Sequence, residues 1–209
     1  MKIQLNVDYS EKDEAKVLGA QWDSMNKKWY LWDYKKIDSL KKWIPDSDIY
    51  DVFITDSLYI IEGFRRCWKC KQSIPVYAIG AEKFAYKCDD GSWKFSSSFH
   101  LINHIERYSY AVHEKIMKVT AGCLQLHFSK TVEMRYLMNL CIACDAPQGD
   151  NYLYDEIDAV FAPESAEDAA NMKIHKIPLD FDIGLKGELF SCWADGNDTN
   201  TLIWNYAVK

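Results

Sequence analysis

The sequence has no run of about 18 apolar residues, the length that a membrane-spanning helix requires, and no apolar leader follows its first residue. It also lacks a phosphate-binding G-x-x-x-x-G-K loop, a dinucleotide-binding fingerprint, an internal repeat and any low-complexity segment. These absences argue against membrane proteins, P-loop enzymes and repeat proteins. We therefore expect a cytoplasmic protein.

The composition indicates a folded chain with a substantial core. Of the 209 residues, 48% are hydrophobic and 14% are aromatic, with 8 Trp and 13 Tyr. Aromatic side chains supply large buried areas or stacking faces. A chain of this length predicts one compact body with a small appended module.

Charge is distributed unevenly along the chain. Residues 1–144 carry 21 Lys and Arg against 18 Asp and Glu, whereas residues 145–209 carry 4 against 13. The net charge of −6 therefore conceals a mildly basic first part and an acidic last third. The first part leaves room for an anion-binding face, and non-specific binding of the whole protein to DNA or membrane is disfavoured.

The first 48 residues predict a small strand-helix-strand-helix module. Apolar residues alternate over residues 2–7, which is typical of a half-buried strand. Ser10 is expected to cap a helix that Gly19 ends. A strand follows over residues 28–32, and a second helix is predicted before Pro45.

This module carries a family resemblance. The run LNVDYSEKDEAKVLGAQWDSMNKKWYLWD resembles a small domain of unknown function found in plasmid-borne DNA primases and other mobile-element proteins. The resemblance covers residues 3–45, and it departs from the family at Asp8, where proline is common. It implies a nucleic-acid-processing context and no particular reaction.

Two Cys-x-x-Cys motifs are the strongest chemical signal. Cys67 and Cys70 form the first pair, and Cys141 and Cys144 form the second. Four thiolates complete the tetrahedral shell that structural zinc prefers, although the segment between the pairs is longer than the usual run of about 15–20 residues. The alternatives are two unrelated reduced pairs or a single redox motif. No helix is predicted after Cys70, which disfavours redox chemistry.

The surroundings of the motifs resemble a group of uncharacterised bacterial proteins built around a split zinc ribbon. The matching segments are CWKCKQSIPVYAI and N-x-C-x-x-C-x-x-x-Q-G-D, the latter running from Asn139 to Gln148, Gly149 and Asp150. The resemblance implies that the four cysteines are the zinc ligands.

Residues 49–209 predict a β-rich domain with peripheral helices that the zinc site closes, so the fold class is α+β. One hairpin is predicted to turn at residues 89–91, and a second is predicted before the second Cys pair. A helix is predicted over residues 99–108, another follows Pro163, and a final apolar strand is predicted over residues 202–208.

Four other residues, in two pairs, are candidates for chemistry. On the predicted helix His100 and His104 would share one face at the i, i+4 spacing of metalloproteases, but Leu101 stands where those enzymes have Glu, and an ordinary surface or half-buried pair is the alternative. Cys123 with His127 is a weaker nucleophile candidate. The remaining cysteines are expected to be buried small hydrophobic residues: Cys88, Cys123 and Cys192.

Cations interleave with aromatic residues near the first motif and in the module. The candidate phosphate contacts are Arg65, Arg66, Lys69, Lys27 and Lys28. The alternative is that neighbouring rings such as Trp29 and Trp32 belong to the core and the lysines are solvated. Asp155, Glu156 and Asp158 form an acidic cluster, interpreted as a solvated or partner-binding face in preference to a Mg²⁺ site.

These features lead to three hypotheses. The first is a non-enzymatic zinc-binding protein of bacterial, plasmid or phage origin that contacts nucleic acid or a nucleic-acid-processing complex. The second is a protein–protein interaction module, an inhibitor or adaptor whose acidic last third imitates nucleic acid. The third is a divergent enzyme that uses a metal or a cysteine, with His100, His104 or Cys123 in a chemical role.

Overall fold

The structure is a computed structural model that describes residues 1–46, 49–156, 158–191, 193–194 and 197–209. It is an α+β fold in which strands predominate, which confirms the predicted class in outline. None of the helices described is long and apolar enough to cross a membrane.

The described strands are β1 (Ile3–Leu5), β2 (Gln21–Asp23), β3 (Lys28–Leu31), β4 (Val52–Ile54), β5 (Ser57–Arg66), β6 (Ser73–Ala81), β7 (Phe84–Lys87), β8 (Trp93–Ser96), β9 (His100–Tyr108), β10 (Leu124–Ser129), β11 (Met134–Leu140), β12 (Pro147–Gln148), β13 (Lys173–Pro178), β14 (Ile183–Phe190), β15 (Trp193–Ala194) and β16 (Asn197–Asp198). The α-helices are α1 (Lys12–Leu18), α2 (Ile37–Leu40), α3 (His113–Val119), α4 (Ala166–Ala170) and α5 (Thr199–Tyr206). Short 3₁₀ turns and one π-helical turn, Asn151–Asp155, connect them.

An eight-stranded antiparallel sheet forms the centre of the fold. Its strand order is β13-β5-β6-β9-β14-β4-β7-β8. A second sheet has the order β10-β11-β12, and β1-β3-β2 forms a third. The central strands are buried on both faces, because alternate residues of β5 belong to different cores: Ile60 lies in one hydrophobic cluster and Ile61 in the other.

The two faces of the large sheet are covered by different elements. One face packs against α3 and the β10-β11 hairpin through residues such as Ile116 and Leu137. The other packs against the segment around Phe161 and against Ile203 of α5. The fold thus has three layers with the sheet in the middle.

The N-terminal module has a core of its own that also includes two residues of the large sheet. Its cluster contains Leu31, Leu40 and Trp43 together with Phe53 of β4 and Ala85 of β7. The predicted division between residues 48 and 49 borders Ser47 and Asp48, which lie outside the described residues, so the division remains a prediction.

Two predicted elements have the wrong type. The helix predicted over residues 99–108, with His100 and His104 on one face, is strand β9. The register between β9 and β14 shifts where residues 104–106 of β9 lie opposite Gly187 alone, and a bulge of this kind disrupts the period-2 pattern that identifies a strand. The strand predicted over residues 202–208 is largely helix α5, whose N-cap Asp198 accepts a hydrogen bond from the backbone N–H of Thr201.

Helix boundaries in the module differ in detail. Ser10 lies inside a 3₁₀ turn, Tyr9–Glu11, and makes no side-chain cap to it. Gly19 ends α1 as predicted, with φ of 109°, a conformation that favours glycine. The second predicted helix is α2 flanked by 3₁₀ turns.

Candidate metal centre

The structure brings the four predicted cysteines together. Their sulfur atoms all lie within 4.8 Å of one another. The Cys67–Cys144 and Cys70–Cys141 sulfur pairs are 3.8 and 3.7 Å apart. A disulfide would place sulfurs about 2.05 Å apart, whereas a tetrahedral shell with metal–sulfur bonds of about 2.3 Å has edges of about 3.8 Å. The cluster therefore fits a four-coordinate metal ion.

Each cysteine pair lies on the turn of a β-hairpin, and the two turns have the same backbone hydrogen bonds. In the first turn, which joins β5 to β6, the Cys67 N–H donates to Gln72 O over 2.9 Å and its carbonyl accepts from Lys71 N over 3.0 Å. In the second, between β11 and β12, Cys141 makes the equivalent bonds at 3.0 and 2.8 Å. The metal would therefore join the large sheet to the β10-β11-β12 sheet.

The left-handed conformation of one residue closes each turn. Lys71 has φ of 63° and Asp145 has φ of 56°. Each follows its Cys-x-x-Cys motif directly and donates its N–H back to the first cysteine's carbonyl. The two turns thus present their thiols with the same local geometry, as two copies of a ribbon knuckle do.

Hydrogen-bond donors favour the thiolate form of Cys67, whereas burial raises the pKa of the Cys141 thiol. Burial opposes ionisation of the Cys67 thiol, but backbone N–H groups of Cys70 and Lys69 lower its pKa to about 6. The amide of Gln148 donates to the Cys67 sulfur over 3.5 Å. Metals bind cysteine as thiolate, so these donors favour metal binding.

Asn139 fastens the second sheet to the first just before the second knuckle. Its Oδ1 accepts from Tyr77 N over 2.7 Å, and its Nδ2 donates to Tyr77 O over 2.8 Å. Both contacts are buried, and only 2% of Asn139 is exposed. The pairing of β6 with β9 begins only at Ile79. Asn139 therefore bonds the backbone groups of Tyr77 that β9 leaves without a partner.

The predicted basic residues near the first knuckle have different environments. Arg66 and Lys69 are exposed. Arg65 is half-buried; its guanidinium donates to the Tyr152 carbonyl and lies 5.8 Å from the Tyr152 ring centre. Arg65 is therefore engaged within the protein, and the free cationic groups of this surface belong to Arg66 and Lys69.

In sequence, Trp68 lies between these two cationic residues, within the turn of the first knuckle. Its ring is 48% exposed, and its Nε1–H donates to the Pro147 carbonyl over 2.7 Å. That hydrogen bond holds the ring in place across the two knuckles. In the module, by contrast, Trp29 is buried, and Trp32 is 46% exposed.

Lys27 and Lys28 lie elsewhere, in the β2-β3 hairpin of the module, and both are exposed. The module packs on β4 and β7, which lie near one edge of the large sheet, whereas the first knuckle extends from β5 and β6 near the other edge. The two sets of predicted basic residues are therefore separate surfaces.

The structure does not bring the histidine and cysteine candidates into one cluster. His100 hydrogen-bonds to the Ser98 carbonyl over 2.9 Å, and His104 contacts Glu188 over 3.2 Å. Cys123 is buried, and burial raises the pKa of its thiol, which disfavours the thiolate. Of the other predicted buried thiols, Cys88 is half-buried and Cys192 lies outside the described residues.

A buried carboxyl lies beside the second knuckle. Asp150 accepts a hydrogen bond from the His104 backbone N–H over 2.8 Å. Burial raises its pKa from 3.8 to about 6, and the His104 N–H opposes that rise. Asp150 is the last residue of the Q-G-D segment. The sequence of that segment did not indicate that the carboxyl is buried.

The acidic candidates are on the surface. Asp155, Glu156 and Asp158 are exposed, and Asp158 lines a cleft that also contains Gly63 and Phe64 of β5. In the part of the chain described, the four cysteines are the only group of three or more potential metal ligands that converge. The sequence gave no signal for the cleft, because the cleft depends on the residue at which β13 begins, Lys173.

The structure is an α+β protein in which two hairpin turns bring four cysteines into a cluster that could hold a metal ion. Residues 2–45 match a family described as a domain of unknown function, DUF5710. The chain is also similar to the DNA primase TraC of Escherichia coli, with 39% identity over 46 residues. That match covers 22% of this chain and 4% of the primase. No solved structure matches the chain significantly, so the metal centre is interpreted from its own geometry.

Proposed function

We propose that the four cysteines bind one structural Zn²⁺ ion. Four thiolates are the commonest structural zinc shell, and such a shell has no open position for water or substrate. The position of the site supports this role, since it joins the turns of two hairpins from different sheets. The zinc would then stabilise the fold and have no part in a reaction.

We further propose that the first knuckle contacts nucleic acid, and that the protein acts as a non-enzymatic zinc-binding component of a nucleic-acid-processing system. The observation that carries this proposal is Trp68, an exposed ring fixed by its hydrogen bond to Pro147 and flanked in sequence by cationic side chains. Fixed exposed rings stack on unpaired bases, and neighbouring cations bind phosphates. Arg66 and Lys69 are the proposed phosphate contacts.

The N-terminal module supports the same setting. The chain is similar over 46 residues to a protein named as a DNA primase, and exposed Lys27 and Lys28 give the module a second cationic surface. Because this surface is separate from the knuckle, we propose that it makes an auxiliary contact.

The test is a fluorescence-anisotropy titration of the zinc-loaded protein with single-stranded and duplex oligonucleotides at several salt concentrations. The paired change Arg66→Ala and Lys69→Ala should weaken binding and reduce the single-strand salt slope by about 1.4, since each phosphate contact contributes about 0.7. The matched control is Lys118→Ala with Lys130→Ala, which removes two exposed lysines elsewhere and should leave the slope nearly unchanged.

Stacking is tested separately by Trp68→Ala. A stacked base contributes about 1–3 kcal/mol, so single-strand binding should weaken by roughly 5-fold to 150-fold, while duplex binding changes little. Zinc content is measured in each variant. Binding that ignores salt, or equal losses in the Arg66/Lys69 and control pairs, would contradict the proposed contact.

A further inference from the structure

The cleft beside β5 contains an unpaired stretch of strand edge. Strand β13 pairs with β5 from Ser57 only as far as Glu62, which lies opposite Lys173. Strand β5 itself continues to Arg66 and remains paired with β6 on its other side. Beyond Glu62, the outer edge of β5 therefore has no neighbouring strand among the described residues.

The register shows which backbone groups this edge presents. In an antiparallel pair, residues alternate between bonding the partner strand and facing away from it. Tyr77 of β6 directs its N–H and carbonyl to Asn139, so Tyr77 and its partner Glu62 do not bond each other. Two residues further on, Phe64 lies opposite Pro75, which has no N–H to give.

Phe64 therefore directs its backbone N–H and carbonyl outward, into the position that β13 leaves vacant. No described backbone group outside the strand ladders bonds to Phe64, and its side chain is 60% exposed. The two residues before β13, Asn171 and Met172, do not continue its pairing with β5. They line the cleft instead. An edge of this kind accepts an added strand.

The cleft has the size and charge for a particular occupant. Its volume is about 590 Å³, within the range of about 300–1,000 Å³ typical of ligand clefts. Asp158, Glu164 and Asp168 are among its lining residues, and no Lys, Arg or His is described among them. Val160 packs against Gly63 so closely that an added Cβ would lie 2.4 Å from its Cγ1, which fixes one wall.

We propose that this cleft binds an extended, basic segment of a partner protein, which pairs with the backbone of Phe64 as an added strand. Side chains of an added strand alternate in direction, so Lys or Arg at every second position would face the carboxylates. The backbone bonds require a peptide, and the cleft's charge requires a cationic one. This proposal is independent of the nucleic-acid contact, which uses side chains of the knuckle.

The probe is a displayed library of random 12-residue peptides, selected on the zinc-loaded full chain and depleted on its Phe64→Pro variant. Proline removes the outward N–H, and proline is tolerated at strand edges. We expect enriched sequences with alternating Lys or Arg. A synthetic peptide of such a sequence should bind at least 10-fold more weakly to Phe64→Pro, and peptide binding should slow hydrogen exchange at the Phe64 amide.

Charge is tested without changing the strand. Asp158→Asn with Glu164→Gln should weaken peptide binding about 10-fold at low salt, whereas the control Glu114→Gln with Asp180→Asn, which removes two carboxylates outside the cleft lining, should change it less than 2-fold. Peptides without a basic preference, no enrichment over Phe64→Pro, or unchanged Phe64 exchange would each overturn the proposal. The proposal would also be overturned if the chain forms dimers and Phe64→Pro abolishes them, because the occupant of the cleft would then be a second copy of the chain.

Discussion

Replacing Asn139 by alanine is expected to destabilise the protein strongly. The side chain makes two buried hydrogen bonds to the backbone of Tyr77, at 2.7 and 2.8 Å. These bonds join β11 to β6, two residues before Cys141. The alanine variant keeps the fold's other contacts but leaves an N–H and a carbonyl of Tyr77 without partners.

The magnitude follows from those two groups. Leaving a buried polar group unpaired costs about 1–3 kcal/mol, so the loss ranges from about 2 to 6 kcal/mol. We expect a decrease of about 3 kcal/mol in the free energy of unfolding. For a chain of this size that corresponds to a Tm lower by about 6–12 °C.

Asn103→Ala is the matched control. Asn103 is also an asparagine of the core, 7% exposed, but its Oδ1 has no hydrogen-bond partner. Removing it should cost less than about 1 kcal/mol. Urea unfolding of the zinc-loaded proteins measures both values. Equal losses in the two variants would show that the bonds to Tyr77 are not what makes Asn139 important.

Three further predictions concern the metal, pH and packing. Cys141→Ser should abolish metal binding and unfold the large sheet, since structural zinc contributes about 10–16 kcal/mol against a total stability of about 5–15 kcal/mol; a metal-free variant with the wild-type Tm would refute this. Burial raises the pKa of Asp150 from 3.8 to about 6, so the folded state holds a proton that the unfolded state releases between those values. Stability should therefore fall by about 3 kcal/mol as pH rises through that window. In Asp150→Asn, which still accepts the hydrogen bond from the His104 N–H, this decrease should be absent. Urea unfolding of both proteins between pH 3.8 and about 6 measures it. Gly63→Ala should cost about 1–3 kcal/mol through its clash with Val160, and Val160→Ala should recover most of that loss; a double variant as unstable as the summed single variants would contradict the clash.

The four-cysteine cluster was predictable because its signal is local. Each Cys-x-x-Cys motif identifies its own knuckle, and the alternating segment that becomes the β10-β11 hairpin indicated a strand leading to the second. Four free thiols in two such motifs are typical ligands of a common ion. What the sequence could not supply was the position of Lys71 and Asp145 in left-handed conformation, because neither residue type requires it.

Strand β9 was mistaken for a helix for a physical reason. Phe99, Ile102 and Ile105 have the i, i+3 spacing of an apolar helical stripe, and all three are buried. In the structure they are buried because β9 lies inside a sheet covered on both faces, where alternation is lost. His104, with φ of 46°, adds an irregularity that no propensity anticipates.

Helix α5 carried a signal that could have identified it. Asp198 is followed three residues later by Thr201, whose N–H and hydroxyl both donate to the Asp198 carboxylate. An aspartate at this offset before an apolar segment is typical of a helix start. The apolar residues that follow, including Leu202 and Ile203, suit either a strand or a helix, so the cap decides between them.

Both proposed binding surfaces lie next to the proposed metal site. Phe64 and Arg66 lie three residues and one residue before Cys67, on the strand end that the first knuckle holds. Without the metal, the end of β5 would lose one of its links to the second sheet, leaving the Trp68 bond to Pro147, so the backbone edge and the cationic face would weaken together. The surfaces nevertheless use different groups, the outward N–H and carbonyl of Phe64 and the side chains of Arg66 and Lys69. At equal zinc content, Phe64→Pro should therefore affect peptide binding alone, and loss of Arg66 and Lys69 should affect nucleic-acid binding alone.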